Sequence, residues 1–387
     1  VSIASEGMPE WLYTDMGTIG AGGISSGIYT TDSAEQVKYL VNDSSTKFYF
    51  AENEEQLDKI LEVRSECPTL KQIIVFDMEG LNEFHDDQVI SYEEFLKIGE
   101  KTNQEKPDLW ESLINNVKTS DIAILVYTSG TTGPSKGAMI NHENILYSIN
   151  TGYDIFETME HEEQLSFLPL CHILERSVSV MIPLKTGAVV NFAESIDTVP
   201  ENIREVSPTV FIAVPRIWEK FYSSITILMK DATFIGKYSY QFSINVGARY
   251  KDYFIDGKIP PLSLKILYWL CNQLVLKNIK KLLGLNNCRY GLSGAAPISP
   301  ELINWYLSLG IDMREGWGMT ETSGVGTAFY SREIKLGHVG RAVNDSEIRI
   351  ADDGEILFKG PGVFCGYLNK PEQTKETLKD GWLHTGD

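Results

Sequence analysis

The chain has 387 residues, which is too long for one compact core and predicts two or three domains. Its net charge of −19 argues against a nucleic-acid partner, which needs a cationic surface, but local cations can still bind an anionic small ligand. Five cysteines without a CxxC pair and no long apolar run favour a reduced, cytoplasmic compartment without a membrane-spanning helix. Because the chain begins with valine, we expect at least its start to be missing.

Strands and helices alternate along most of the chain. A capping box at Ser33–Gln36 predicts one helix start, and Ser299–Leu302, with Pro300 at the first helical position, predicts another. Largely apolar strands separated by helical segments predict parallel sheets that are buried on both faces. The predicted strands are Gln72–Asp77, Ile122–Tyr127, Leu165–Leu170, Ala188–Ala193, Thr209–Val214 and Cys288–Ser293.

The tail of the chain has a different pattern. Ile348–Gly360 predicts two short strands joined by an Asp353–Gly354 turn. We therefore predict an α/β fold with two packed α/β subdomains, at 1–155 and 156–325, and a small β-rich, barrel-like subdomain at 326–387. The segment Asp231–Lys258 is predicted only to be helical or irregular.

A polar, glycine-rich segment, YTSGTTGPSKG (Tyr127–Gly137), follows a predicted buried strand and precedes a predicted helix that begins in Asn141–Ile149. The carboxyl end of such a strand is where α/β proteins bind ligands. Backbone N–H groups and hydroxyls can surround a phosphate, and Lys136 supplies charge. The segment is not a Walker A loop, because Ser135 precedes the lysine and Gly137 follows it. Taken alone, the segment is equally consistent with a mobile surface turn.

A hydrolase is an alternative, because GISSG (Gly23–Gly27) formally fits the GxSxG nucleophile elbow. That elbow needs a strand before it and a helix directly after it. Gly17–Gly22 is a poor strand, and Ile28–Ser33 intervenes before the capping box. We therefore favour a flexible glycine-rich turn at this position.

Three more motifs follow the phosphate-loop candidate: LSGAAP (Leu292–Pro297), GWGMTE (Gly316–Glu321) and LHTGD (Leu383–Asp387). In this order the four motifs resemble the adenylate-forming superfamily of acyl-CoA synthetases, luciferases and peptide-synthetase adenylation domains. The pieces YTSGTTGPSKG, SFLPLCHILER and VPRIWEKFY look most like the long-chain fatty acid–CoA ligase branch. The resemblance implies that ATP and Mg²⁺ activate a fatty acid as an acyl-adenylate, from which coenzyme A forms a thioester.

The resemblance also implies site residues. Lys136, Thr320, Glu321 and His172 would be catalytic, and Glu321 with Thr128 would bind Mg²⁺. Within the implied nucleotide site, Trp317 would stack on adenine, where most relatives carry tyrosine, and Asp387 would accept hydrogen bonds from the ribose. The implied nucleotide-binding residues are Thr128, Ser129, Gly130, Thr131, Thr132, Gly133, Ser293, Gly294, Ala295, Ala296, Glu315, Gly316, Trp317, Gly318, Met319 and Asp387.

Each of these residues also has an ordinary structural explanation, which the joint pattern disfavours. For the two residues at the acyl end, the functional and the structural explanations are closer in weight. His172 would orient the substrate carboxylate, or it is a hydrogen-bonded core histidine. Trp218 would gate the fatty-acid tunnel, or it is a core aromatic.

The segment Gly257–Pro300 contains no acidic residue and six basic ones. Val275, Leu276, Ile279, Leu282 and Leu283 share one predicted helical face, with three lysines opposite. A helix of this kind at 262–284 can contact an anionic membrane surface from the cytoplasmic side. We favour the alternative of a core-packed helix with solvated lysines.

The superfamily's mobile C-terminal domain follows the last motif and is absent from this chain, so we expect the chain alone to turn over poorly. Two alternatives to a long-chain fatty acid–CoA ligase stay open. One is a synthetase for another carboxylate, such as a medium-chain or aryl acid. The other is a catalytically silent nucleotide-binding relative. The sequence predicts neither the acyl chain length nor the oligomeric state.

Overall fold

A computed structural model describes residues 1–128, 133–156, 161–330 and 334–387. Its largest sheet has seven strands in the order β5-β4-β3-β1-β2-β6-β7. Six strands are parallel, and β7 runs antiparallel to β6 at one edge. The strands are β1 (Ser2–Ala4), β2 (Ser25–Ile28), β3 (Phe48–Ala51), β4 (Gln72–Val75), β5 (Val89–Ser91), β6 (Ile122–Thr128) and β7 (Lys136–Asn141).

Helices alternate with these strands, and α2 begins at the predicted capping box. Ser33 accepts the backbone N–H of Gln36, and the Gln36 side chain accepts the N–H of Ser33, so the predicted capping box is confirmed. The predicted helix after the glycine-rich segment is also confirmed, although β7 comes between the two. The helices are α1 (Pro9–Gly20), α2 (Ala34–Asp43), α3 (Glu54–Val63), α4 (Tyr92–Glu105), α5 (Leu109–Asn116) and α6 (His142–Phe156).

Three residues of the GISSG segment, Ser25–Gly27, belong to strand β2, so our interpretation of these residues as a flexible turn was wrong. Ser25 and Ser26 are buried within the strand. A Cβ on Gly27 would lie 2.6 Å from Cys171 Cα, so only glycine fits this close approach. Neither serine sits on a strand-to-helix turn, and the hydrolase alternative therefore has no structural basis.

The middle of the chain forms two smaller parallel sheets, one of β8 and β9 and one in the order β10-β11-β12. A large apolar core surrounds the second sheet and includes Phe211, Trp218 and Tyr306. All the strands predicted from apolar runs are present, with ends shifted by at most four residues. The strands are β8 (Glu163–Ser166), β9 (Val189–Phe192), β10 (Val210–Ala213), β11 (Tyr290–Ser293) and β12 (Asp312–Glu315).

Helices cover these sheets, and the segment without a clear prediction, Asp231–Lys258, is largely one long helix. The predicted start at Ser299 is confirmed, since its side chain accepts the N–H of Leu302. The helices are α7 (Ile173–Arg176), α8 (Ile182–Thr186), α9 (Val199–Val206), α10 (Pro215–Asp231), α11 (Phe234–Ile255), α12 (Leu262–Cys271), α13 (Lys277–Leu282) and α14 (Pro300–Leu309).

A π-helical turn, Asn272–Leu276, joins α12 to α13 without a break in the helix. Leu276, Ile279 and Leu283 are buried in the large core, as expected for a core-packed helix. Leu282 was predicted on the same face, but it is 52% exposed. The apolar face that we considered for membrane contact is therefore mostly turned inward, in agreement with the core-packed alternative that we favoured.

The tail forms small antiparallel sheets, one of which has the order β15-β16-β18-β17. The predicted hairpin is confirmed: β15 pairs with β16, and Gly354 in the turn has a φ of +97°. The elements are β13 (Thr327–Ala328), β14 (Arg341–Ala342), β15 (Glu347–Ile350), β16 (Ile356–Lys359), α15 (Pro371–Thr377), β17 (Leu378–Lys379) and β18 (Trp382–His384).

The tail also packs on the edge of the large sheet. The N–H of Met139 in β7 donates to the carbonyl of Gly366, and the N–H of Leu368 donates to that of Gly137. One apolar core combines Ala138 of β7 with Phe358 and Leu383 of the tail. Across the described parts of the chain, no helix combines the length and apolar character that crossing a bilayer requires.

Candidate active site

The glycine-rich segment connects the paired strands β6 and β7. Thr128 lies directly opposite Lys136 in the ladder, so the pairing holds both ends of the loop together. Gly133 has a φ of +103°, a conformation that favours glycine. The four predicted loop residues Ser129, Gly130, Thr131 and Thr132 lie outside the described residues.

Three side chains from distant parts of the sequence meet beside the loop. The Lys136 ammonium lies 4.4 Å from the centre of the Tyr367 ring, within cation–π range. The Tyr367 hydroxyl donates a 2.5 Å hydrogen bond to Oε1 of Glu321. Burial, followed by the Glu321 carboxylate, raises the pKa of Tyr367 above its usual range, so the hydroxyl stays protonated and donates. Tyr367 thus contacts both the predicted phosphate-loop cation and the predicted metal-binding carboxylate.

The backbone around Tyr367 fixes its position. Gly366 has a φ of +117°, and a Cβ there would lie 2.6 Å from Cγ2 of Thr374. Only glycine therefore lets α15 approach so closely. The Thr374 hydroxyl accepts the N–H of Tyr367 at 2.9 Å. The tyrosine is held between the edge of β7 and the helix α15.

The GWGMTE motif forms a tight turn that ends in the buried side chains of Thr320 and Glu321. A Cβ on Gly318 would lie 2.5 Å from the carbonyl oxygen of Gly324, so the two backbone segments approach too closely for a larger residue. The Trp317 ring packs against Gly326, where a Cβ would lie 2.3 Å from a ring carbon. These two glycines shape the loop and orient the indole.

The last residue of the chain contacts this turn. The Trp317 indole N–H donates to Oδ2 of Asp387 at 2.7 Å. Glu355 holds the segment before it, because its carboxylate accepts the N–H of Gly386 and lies 2.9 Å from Nδ1 of His384. The predicted adenine-stacking residue and the predicted ribose-binding residue are therefore hydrogen-bonded to each other.

The LSGAAP motif continues from β11 into an irregular loop. Ala295 has a φ of +66°, a strained conformation for a residue with a side chain. The Ser293 hydroxyl is buried and has no hydrogen-bond partner among the described residues. Glu315 accepts the N–H of Ile298 at 3.2 Å and so holds the far side of the loop. A strained backbone and an unpaired buried hydroxyl are features that occur at ligand sites.

His172 lies at the N-terminus of α7, where its Nδ1 accepts the N–H of Leu174 at 3.2 Å. Burial lowers the pKa of His172 below its usual 6.5, so the imidazole is neutral at pH 7. Because Nδ1 accepts a hydrogen bond, the proton of the neutral ring is on Nε2.

The phosphate-loop strands, the two motif loops and the start of α7 enclose one cleft of about 730 Å³. Besides polar groups, it has an apolar wall that includes Ile155, Phe156, Val178 and Ile182. The predicted site residues that line it are Thr128, Lys136, His172, Gly294, Ala295, Gly316, Trp317, Gly318, Met319, Thr320, Glu321 and Asp387.

The profile of a known family, described as "AMP-binding enzyme", matches residues 1–368. The chain belongs to the AMP-binding enzyme family. The match covers the phosphate-loop candidate and the LSGAAP and GWGMTE motifs, and it ends one residue after Tyr367.

Curated relatives of this AMP-binding enzyme carry a common description. A long-chain-fatty-acid–CoA ligase ACSBG2 from Gallus gallus is 36% identical over 403 residues, covering all of this chain and 52% of the relative. The ACSBG2 from Homo sapiens is 33% identical over 399 residues, covering all of this chain and 58% of the relative. The chain thus spans about half the length of the curated relatives it matches.

Solved structures share the fold. The N-terminal domain of FACL13 from Mycobacterium tuberculosis superposes with a TM-score of 0.66 at 18% identity, covering all of this chain and 82% of that one. The anthranilate CoA ligase AuaEII, in complex with anthranoyl-AMP, gives 0.69 at 19% identity, covering all of this chain and 64% of that one. At these identities the likeness concerns the fold of the AMP-binding enzyme.

The structure departs from one expectation about the acyl end of this AMP-binding enzyme. Trp218 is fully buried in the large core, where it packs edge-on against Phe211 and Tyr306, and its indole N–H donates to the carbonyl of Ala213. Trp218 does not line the cleft, so the expectation that it gates a tunnel is not supported. Ser293, Ala296, Glu315 and Gly133 likewise do not line it, although they border residues that do.

Tyr367 is the residue that our sequence analysis missed. The available signal was the run GYLNKP at Gly366–Pro371, an aromatic residue between a glycine and a turn. Its importance depends on pairing with β7, and we predicted no strand there. The AMP-binding family profile includes this position, but the contact with Glu321 is visible only in three dimensions.

Proposed function

We propose that this chain is the nucleotide-binding part of an ATP-dependent long-chain fatty acid–CoA ligase. The fatty acid carboxylate attacks the α-phosphorus of ATP, releasing pyrophosphate and forming an acyl-adenylate. The thiol of coenzyme A then displaces AMP and forms the thioester. The names of the curated relatives support this activity for the full-length protein.

One observation supports the proposal most strongly. Tyr367 contacts both Lys136 and Glu321 in a cleft that also contains the hydrogen-bonded pair Trp317 and Asp387. A nucleotide has an anionic end and a flat, hydroxylated end. The cleft supplies a cation for the first, and an aromatic ring and a carboxylate for the second. We assign the triphosphate to the Lys136 side and the nucleoside to the Trp317 side.

Two anions must approach each other in the first step, and the cleft has groups that offset their repulsion. Lys136 would bind the departing pyrophosphate, where a preorganised charge lowers the barrier. The Glu321 carboxylate and the Thr128 hydroxyl are oxygen ligands of the type that Mg²⁺ prefers, and both line the cleft. When bound there, Mg²⁺ would supply additional charge neutralisation at the phosphates.

His172 would position the fatty acid. Its neutral imidazole carries a proton on Nε2, which can donate a hydrogen bond to a carboxylate without the full charge of an imidazolium. It lines the same cleft as the apolar wall of Phe156, Val178 and Ile182, which supports an apolar acyl group beside it. We assign the carboxylate to His172 and the start of the acyl chain to this wall.

A panel of carboxylic acids tests the proposal on the full-length protein. Pyrophosphate release and acyl-CoA formation are measured with long-chain, medium-chain and aryl acids, each with and without coenzyme A. We expect thioester product with long-chain acids in preference to the others. A clear preference for aryl or medium-chain acids would assign the protein to another substrate class, and ATP binding without product would identify a silent relative.

A further inference from the structure

Six large apolar side chains form an exposed stripe along α12 and the residues that flank it. Ile259 and Leu262 are 82% and 72% exposed, and Trp269 and Leu274 are 58% and 72% exposed. Ile266 and Leu270 complete this group, which we call the α12 stripe. Positions 262, 266, 270 and 274 are each four residues apart, so these side chains follow one side of the helix.

The stripe is not needed to hold the helix in the fold. The opposite side of α12 packs on α11 through Leu264 and Cys271, and Tyr268 stacks on Tyr250 with ring centres 4.1 Å apart. The helix is therefore apolar on both sides, and one side is in water. A contiguous exposed apolar surface of this kind marks an interaction site more often than scattered single residues do.

The charge around the stripe is unlike that of the rest of the molecule. Between residues 257 and 300 there is no aspartate or glutamate, in a chain whose net charge is −19. Lys265, Lys277 and Lys281 are exposed in this region, whereas the exposed Lys258 pairs with Asp256 at 2.7 Å. Lys265 lines a shallow depression together with Ile266 and Trp269. Cations and apolar groups are therefore combined at one place on an otherwise acidic protein.

We propose that the α12 stripe docks on an anionic lipid bilayer, with the helix lying in the plane of the surface. The apolar side chains would enter the boundary between headgroups and acyl chains, while the lysines would pair with lipid phosphates and carboxylates. An aromatic residue such as Trp269 suits this depth, because its ring is apolar and its N–H is polar. Within residues 257–300 no acidic side chain opposes this contact.

The α12 stripe differs from the apolar face that the sequence analysis considered for membrane contact. Leu276, Ile279 and Leu283 of that face are buried in the core and cannot reach a bilayer, whereas the α12 stripe precedes them in the chain and is exposed. Docking on a bilayer would help the protein to collect fatty acids, which partition into membranes, and this benefit rests on the proposed function. The binding of the stripe to the bilayer does not depend on the proposed function.

Vesicle flotation with the full-length protein tests the proposal. The probes are vesicles of phosphatidylcholine mixed with phosphatidylserine and vesicles of phosphatidylcholine alone. We expect the protein to float with the anionic vesicles and to be released by salt. Leu262→Ser/Ile266→Ser/Leu274→Ser should weaken binding at least about tenfold, because it removes three apolar insertions. Lys265→Glu/Lys277→Glu/Lys281→Glu should also weaken it at least about tenfold.

Matched control variants replace exposed apolar residues and exposed lysines at positions outside the α12 region. Leu184→Ser/Ile350→Ser removes two apolar side chains that are 64% and 60% exposed, and Lys97→Glu/Lys101→Glu/Lys106→Glu reverses three exposed lysines on and after α4. Both controls should bind vesicles like the wild type, and all variants should keep the wild-type melting temperature, since the changed residues are on the surface.

Three outcomes would overturn the proposal. The wild-type protein could fail to float with anionic vesicles. The control variants could lose binding as much as the α12 variants do. Sedimentation could instead show a dimer that the serine triple variant dissociates, with no vesicle binding, in which case the stripe is an interface between two copies. None of these outcomes depends on ligase activity, so the proposed function is tested separately.

Discussion

Tyr367 connects the loop lysine to the carboxylate of Glu321, and its two contacts can be separated by mutation. Tyr367→Phe keeps the ring beside Lys136 but removes the hydroxyl that donates to Glu321. A hydrogen bond to a charged group contributes about 1.5–3 kcal/mol. We therefore expect Tyr367→Phe to lower kcat/KM of the adenylation step by roughly tenfold to a hundredfold and to change its dependence on Mg²⁺.

A steady-state assay of the full-length enzyme at varied Mg²⁺ measures this effect. Tyr330→Phe is a matched control, because that tyrosine also lies beside a cation, Arg341, and accepts a backbone N–H from Asn344. The control should keep wild-type activity. If Tyr367→Phe is equally active at every Mg²⁺ concentration, the hydroxyl has no part in positioning Glu321.

The Trp317–Asp387 hydrogen bond suggests a role for the indole N–H beyond stacking. This N–H donates to Oδ2 of Asp387 and, in the proposed site, would orient the carboxylate for the ribose. Trp317→Phe keeps a flat ring for stacking but removes the donor, and one hydrogen bond is worth about 1 kcal/mol. We expect ATP to bind about fivefold more weakly. Calorimetric titration with ATP measures this, and an unchanged Kd would show that the pair does not orient Asp387.

At the scale of elements, Glu175 joins α7 to its neighbours. Its Oε1 accepts hydrogen bonds from the hydroxyls of Ser166 at the end of β8 and of Ser179 in the following π-helical turn. Arg176, the next residue, forms a fully buried ion pair with Asp15 of α1. The short helix that begins after His172 is thus held by polar contacts on two sides, and these contacts fix the histidine at the edge of the cleft.

Glu175 should make stability depend on pH. Burial raises the pKa of Glu175 from 4.5 to about 7. Between these two pH values the folded protein keeps the proton on Glu175, whereas the unfolded chain releases it. The contribution of the group to stability is therefore complete below about pH 4.5 and is lost as the pH rises through about 7. Glu175→Gln can accept the same two hydrogen bonds without this loss.

We therefore expect Glu175→Gln to become more stable relative to the wild type as the pH rises, by up to roughly 3 kcal/mol in the free energy of unfolding. Urea unfolding at about pH 5 and about pH 8 measures the difference. A difference between variant and wild type that is the same at both pH values would mean that the carboxyl group titrates at its ordinary pKa.

The edge strand β7 shows why part of the architecture could not be predicted. We assigned Lys136 and Gly137, at the start of β7, to a loop. They belong to a strand because β7 pairs with β6 on one side and with the tail segment near Tyr367 on the other. This second pairing joins residues more than 200 positions apart. Propensity and local pattern carry no information about such a contact.

For the whole molecule, the features that were predictable are those encoded locally. Apolar strands, the capping residues Ser33 and Ser299 and the turn at Gly354 follow from short patterns, and all are present. Residues from all four motifs line one cleft, as their joint order led us to expect. By contrast, the burial of Trp218 and the contacts of Tyr367 depend on how distant segments pack. The division into subdomains at 155 and 325 remains a prediction.

The distribution of charge is also a property of the whole molecule. A net charge of −19 would repel both ATP and an anionic membrane, so each predicted partner requires a local exception. Lys136 provides one within the cleft. The segment 257–300, which lacks acidic residues, provides the other on the surface. The average charge of the chain therefore excludes a general polyanion-binding surface without excluding these two sites.

The most direct test of the central claim is ATP–pyrophosphate exchange by the full-length protein, with a long-chain fatty acid and without coenzyme A. Exchange requires reversible formation of the acyl-adenylate. We expect exchange that depends on the fatty acid and falls at least about a hundredfold in Glu321→Ala. Tight ATP binding with no acid-dependent exchange, or exchange that Glu321→Ala leaves unchanged, would contradict it.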